Sequence, residues 1–177
     1  MNSFKNRIIR AAMLDVNLYE EVEADKGAMG QAMGIVVLSS IAAGVGLIEK
    51  GGFSGIFTGT IASLFGWYVW AYLTYFIGTK FLSEPQTKAD HGELLRTIGF
   101  SSSPGLIRVL GIIPGLGVMV FFTASIWMLV AMVIAVRQAL DYNSTLRAVG
   151  VCVIGWVTQI LILMLLFSIL GGGAKPV

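Results

Sequence analysis

Gly99-Phe100-Ser101-Ser102-Ser103 sets a glycine before a run of hydroxyls inside an apolar stretch, the beginning of a pattern that exposes a nucleophilic serine. That pattern needs a second glycine four positions after the first, and Ser103 stands there. A serine nucleophile also needs a base within hydrogen-bond reach, and the one histidine, His91, lies in a charge-rich loop. With one histidine and one cysteine, Cys152, a His/Cys zinc site has too few ligands. No carboxylate sits within the apolar runs to serve as an acid or base, and there is no P-loop. The sequence therefore predicts no enzyme: no catalytic, cofactor-binding or metal-binding residue is assigned, and no cofactor.

The remaining polar residues suit other work. Ser101, Ser102, Ser103 and Pro104 would break a helix, because proline removes a backbone donor and the serines can bond the carbonyls that it frees. Arg108 follows that break, and Gln159 is the most deeply placed amide, suited to an interhelical hydrogen bond. Small residues recur at helical intervals: Gly30 and Gly34 in one run, Gly55, Gly59 and Ser63 in the next. Such stripes let helix backbones approach closely, within one bundle or between partners.

The elements that carry these residues are set by hydropathy. Hydrophobic residues make up 56% of the 177 and charged residues 12%, against roughly 25% charged in a soluble protein; mean hydropathy is +0.82. A crossing helix needs roughly 20 apolar residues. Runs at about 28–48, 53–81, 94–113, 116–139 and 148–170 meet or approach that length. They are continuous, whereas barrel strands alternate over about ten residues. The expected fold is an all-α, polytopic transmembrane bundle of five spans. The third is kinked or broken at Gly99–Pro104, with Arg96 and Arg108 snorkelling toward opposite surfaces; a re-entrant segment is the alternative. The aromatic-rich stretch from Phe65 to Phe76 fits an interfacial belt and bundle packing, with a groove for an acyl or prenyl chain as the alternative.

Lysines and arginines orient the chain. With five spans, Lys5, Arg7, Arg10, Lys26, Lys80, Lys88, Arg96, Arg137 and Arg147 share one side, and Lys50, Arg108 and Lys175 the other. The N-terminus is then cytosolic and the C-terminus external. Four spans give an equal tally, so charge orients the N-terminus without choosing the span count. Residues 1–27 form a cytosolic segment: a short amphipathic helix with Phe4 and Ile8 on one face, then an acidic stretch from Tyr19 to Asp25, expected as a solvated helix face, with a docking surface for a cytosolic partner as the alternative. No cleavable signal is expected in this segment. Residues 171–177 form a short tail. Scattered basic residues give no nucleic-acid stripe.

Three phrases together resemble the Yip family of Ypt/Rab-interacting membrane proteins. They are Tyr19-Glu20-Glu21-Val22 before the first span, Ile98-Gly99-Phe100-Ser101-Ser102-Ser103-Pro104, and Ala135-Val136-Arg137-Gln138-Ala139-Leu140-Asp141 after the span that follows a Pro-Gly turn. The resemblance implies five spans, a cytosolic N-terminus and, in eukaryotic relatives, vesicle traffic through prenylated Rab GTPases. Phe100 replaces the family's tyrosine, and the Asp-Leu-x-Gly-Pro motif and long N-terminal region are absent, which weakens any carry-over of small GTPase binding. The short form is similar to prokaryotic members. The expected role is an interaction or scaffold component of a prokaryotic inner membrane. Its partners would be the lipid bilayer and a membrane protein or a second copy. The alternative is a small solute or ion permease built on the broken third helix.

Overall fold

A computed structural model describes residues 3–171, and every regular element among them is helical. In chain order these are α1 (Phe4–Ala12), α2 (Val16–Ala24), a single 3₁₀ turn (Lys26–Ala28) leading into α3 (Met29–Gly46), α4 (Ile48–Lys80) and α5 (His91–Phe100), then a longer segment, the 3₁₀ helix (Ser103–Ile112), α6 (Gly117–Ala139) and α7 (Thr145–Gly171). The tail 172–177 lies outside the described residues.

Local chemistry accounts for the boundaries. The Ser3 hydroxyl accepts from the Asn6 amide to open α1, and the Asp15 carboxylate accepts from Asn17 to open α2. Asp90 and Glu93 bond each other's backbone amides at 2.9 and 2.7 Å, a capping box that starts α5 at His91. Pro104 has no N–H to continue α5, and the chain winds on as a 3₁₀ helix. Gly52, with φ 58°, breaks the first turn of α4 from its long remainder, and Gly115, with φ 85°, turns the chain into α6.

By length and apolar composition, four helical stretches can cross a membrane: Lys26–Gly46, Ile48–Lys80, Gly117–Ala139 and Thr145–Ile162. The expected third span is instead divided between α5 and the 3₁₀ helix. These two pieces pack along α3 through a seam of small residues. A Cβ on Gly99 would meet Ala32, one on Gly105 would collide with the Ser39 hydroxyl, and one on Gly111 would press on the backbone of Gly46. Residue numbers rise together on both sides, so the two segments run parallel. From Ala32 to Gly46 an α-helix rises about 21 Å. From Gly99 to Gly111 the shorter, mostly 3₁₀ stretch rises about 22 Å. The greater 3₁₀ rise per residue keeps twelve residues in step with fourteen.

Burial is uneven. One apolar cluster joins Trp70, Leu94, Ile98, Val136, Leu140 and Val151, and another joins Ala11, Leu18, Tyr19, Val22, Ile35, Phe100 and Ala135. Both lie where α3 and α7 begin and α4 and α6 end. At the opposite end Phe53, Phe57, Val118 and Phe122 expose 82%, 69%, 87% and 67% of their surface. A soluble monomer rarely leaves so large a continuous apolar surface uncovered; hydrocarbon accepts it.

This packing separates two kinds of glycine. Gly46→Ala would drive a methyl into the Arg108 carbonyl, whereas a methyl on Gly59 meets nothing within 4 Å. We expect Gly46→Ala to lower stability in detergent by about 1–3 kcal/mol and Gly59→Ala to leave it unchanged or slightly raised. Thermal unfolding of the two purified variants checks this; equal melting temperatures would refute the seam.

Candidate functional site

The side of α4 that faces the bundle carries Gly55, Gly59, Ser63, Gly66, Trp67 and Trp70, at helical spacing. Facing them across the bundle are Ser39, Ser40 and Gly44 of α3, Leu47 at its end, Ile98 of α5, Arg108 of the 3₁₀ helix, Ser125 and Met128 of α6, and Cys152, Trp156 and Gln159 of α7. Together they enclose a cavity of about 940 Å³, at the upper end of the roughly 300–1,000 Å³ range of small-molecule sites. Gly59, Leu129 and Trp156 on its rim are exposed. Its walls are mostly apolar, and the hydroxyls of Ser40 and Ser125 are bound locally, Ser125 donating to the Phe121 carbonyl at 2.7 Å. Ser40 donates to the Val37 carbonyl at 2.8 Å and lies 3.1 Å from the Thr60 hydroxyl, which in turn bonds the Ile56 carbonyl at 2.8 Å. The Trp67 indole donates to the Leu95 carbonyl at 3.0 Å.

The candidate residues read from the sequence divide into three groups. Ser102, Arg108, Gln159, Gly55, Gly59 and Ser63 meet in the cavity. Gly99, Ser101, Ser103 and Pro104 lie buried beside it; Ser101 donates to the Ile98 carbonyl at 2.7 Å, while the Ser103 hydroxyl is buried without a partner. Gly30 and Gly34 belong elsewhere: Gly30 faces open space and Gly34 faces the Phe4 ring at 3.6 Å. The tight approaches to backbone are thus made by Gly44, Gly46, Gly99 and Gly111, with Gly78 and Gly105 set hard against side chains, and not by the Gly55–Gly59–Ser63 stripe, which borders empty volume. Trp67 and Trp70, read from the sequence as belt or packing residues with an acyl or prenyl groove as the alternative, are walls of this cavity. Extending the Gly55–Gly59–Ser63 period by one and two turns would have found them.

A second cluster of polar residues joins α1 and α2 to the bundle. Arg7, 8% exposed, donates to Glu21, Asp25 and Gln31 at 3.0, 2.8 and 3.1 Å. Arg10 holds Asp15 at 2.7 Å and Glu21 at 2.6 Å. The acidic stretch is therefore not wholly the solvated face expected of it: Glu21 and Asp25 neutralise the arginines of α1, and Leu18, Tyr19 and Val22 beneath them are fully buried. Arg96, expected to snorkel to a surface, is 4% exposed and donates to the carbonyls of Val22 and Glu23. These are orphan acceptors at the end of α2, where a cation is also favoured by the helix dipole. Gln138 of α6 reaches Glu20 at 2.8 Å.

Charge crowding tunes this end of the molecule. Burial, with Asp141, Glu93 and Glu20 adding to it and Arg96 opposing it, pushes the Glu23 carboxyl up to about 7. The guanidinium of Arg10 holds Asp15 below the usual carboxylate range, and that of Arg7 does the same for Asp25. Burial raises the Tyr19 phenol, whose hydroxyl donates to the Ala11 carbonyl at 3.3 Å.

His91 is enclosed by tyrosines of α4. The rings of Tyr68, Tyr72 and Tyr75 stand edge-on to it at centroid distances of 5.0, 5.8 and 6.3 Å. Its nitrogens have no hydrogen-bond partner. The aromatic face read as an interfacial belt thus also houses the histidine.

The model of the Yip1 domain family matches residues 20–167. No curated protein and no solved structure matches the chain. The matched region runs from the middle of α2 into α7 and contains every residue that lines the cavity. Its apolar helices and this match together show that the chain is an integral membrane protein belonging to the Yip family.

Proposed function

We propose that this protein is a non-catalytic interaction component, a scaffold in membrane organisation or trafficking, that presents α1 and α2 as a rigid platform on the cytosolic face of a prokaryotic inner membrane. One observation carries the reading: the charged segment is fastened to the bundle end. Arg7 ties α1 to α2 and α3, Arg96 ties α2 to α5, and Gln138 ties α2 to α6. A surface ordered before binding loses little conformational entropy when a partner docks. The exposed residues Lys5, Asn17, Glu20, Lys80 and Lys88 belong to this end.

In the same proposal, α5 and the 3₁₀ helix form the third of five spans, which makes the platform cytosolic and the far end of α7 external. The parallel seam with α3 supports this, because α3 is itself long and apolar enough to cross. The permease reading gains no comparable support. Ser101 is bonded to its own helix, and Ser103 is buried against the seam rather than lining the cavity.

Two measurements test the platform. Photo-crosslinkers placed at Asn17 and Lys88 in native membranes should give a discrete adduct. Arg7→Ala, which removes three bonds to α2 and α3 and costs about 2 kcal/mol or more, should abolish it while leaving insertion intact. Adducts unaffected by Arg7→Ala, or solute flux through the reconstituted protein, would contradict the proposal.

The second follows from Glu23. Its folded carboxyl holds a proton up to about 7, well above an unfolded glutamate near about 4.3. Platform stability from this group is therefore complete below the unfolded value and falls as pH rises through about 7. The lowered carboxyls Asp15 and Asp25 act in the opposite sense at more acidic pH. Glu23→Gln should raise the melting temperature in detergent most at about pH 8, with the gap closing toward about pH 4. Parallel pH profiles for the two proteins would disprove the assignment.

A further inference from the structure

Arg108 is an anomaly in the cavity wall. It is half-buried, and among the described residues its Nε has no hydrogen-bond partner and its guanidinium makes one long contact, 3.4 Å to the Ser125 hydroxyl. The guanidinium carbon lies 5.6 Å from the centre of the Phe121 ring. Among the described residues, no carboxylate forms an ion pair with it. Such a charge in apolar surroundings is costly unless a counter-ion meets it.

We propose that the cavity holds one anionic phospholipid, with an acyl chain between α3, α4 and α7 and the phosphate paired with Arg108. Charge and shape both favour this occupant. Arginine's planar fork suits phosphate oxygens, and phosphate is the anion that a bilayer supplies at its surface. The cavity is graded along its length. Arg108, Ser125 and Leu47 mark one end, and Trp67, Trp70 and Ile98 the other. The lining runs from Val36 of α3 to Leu47 at the helix end, a rise of about 16 Å. Resting on the five-span reading given above, the charged end lies toward the external leaflet surface and the apolar end toward the bilayer middle. That is how an outer-leaflet lipid stands. The exposed rim residues Gly59, Leu129 and Trp156 leave a lateral way in from the membrane.

The test is lipid retention by the purified full-length protein in non-ionic detergent, read by native mass spectrometry and by melting temperature. The probes are dioleoylphosphatidylglycerol, dioleoylphosphatidylcholine, oleate and inorganic phosphate. The wild type should retain one phosphatidylglycerol per chain, about tenfold more tightly than phosphatidylcholine. Arg108→Gln should erase that preference and Arg108→Lys should keep part of it. Gly59→Leu fills the cavity from a position where a side chain meets no neighbour, and should lose both lipids while folding normally; it decides the matter if Arg108→Gln does not fold. The proposal falls if the wild type retains both lipids equally, if Arg108→Gln keeps the preference, or if Gly59→Leu binds as the wild type does. Stabilisation by oleate or inorganic phosphate equal to that by phosphatidylglycerol also overturns it. The five-span reading is judged separately, because retention is measured without reference to orientation.

Discussion

The contact between α3 and the paired segments α5 and 3₁₀ organises the rest of the molecule. Ala32, Ser39 and Gly46 meet Gly99, Gly105 and Gly111, and none of these residues has a side chain large enough to hold the backbones apart. In hydrocarbon no hydrophobic effect drives helices together, so close van der Waals approach must do it. The seam draws Arg96 in to reach the end of α2, places Phe100 in the cluster beneath α1 and α2, and sets Arg108 into the cavity wall. A larger residue in this seam would disturb the platform and the cavity together.

Away from the seam the bundle divides its labour by depth. The end beneath α1 and α2 is packed much as a soluble protein is, with buried leucines, a buried tyrosine and paired charges. The other end spreads, with large phenylalanines outward and the cavity inward. Lipid explains why this is stable: outward phenylalanines cost nothing in a solvent as apolar as themselves, and helix backbones satisfy their own hydrogen bonds. Water would force the open end to collapse or aggregate.

Much of this was legible in the sequence, for physical reasons that differ by element. The long uncharged runs could be read because a bilayer demands length and hydropathy and little else. The Tyr-Glu-Glu-Val and Gly-Phe-Ser-Ser-Ser-Pro phrases carried the family, which the domain match shows. The ion pairs of Arg7 and Arg10 could not be read, since they form across a turn and depend on how α2 folds back. Gly105 and Gly111 were passed over, and Gly99 was read only as part of the break, because the three stand six apart, a spacing without meaning on an α-helix. It acquires meaning once part of the segment winds as a 3₁₀ helix beside α3. Gly55, Gly59 and Ser63 had the right period, but period identifies a face and not what lies against it. Here it is empty volume walled by Trp67 and Trp70.

The central claim is that α5 and the 3₁₀ helix pass through the bilayer alongside α3. A topology reporter fused after Val177 tests it most directly, since one crossing more or less moves the end of the chain from one side to the other. The account predicts reporter activity on the external side only. A cytosolic reporter would mean that the segment turns back within the membrane, and would contradict it.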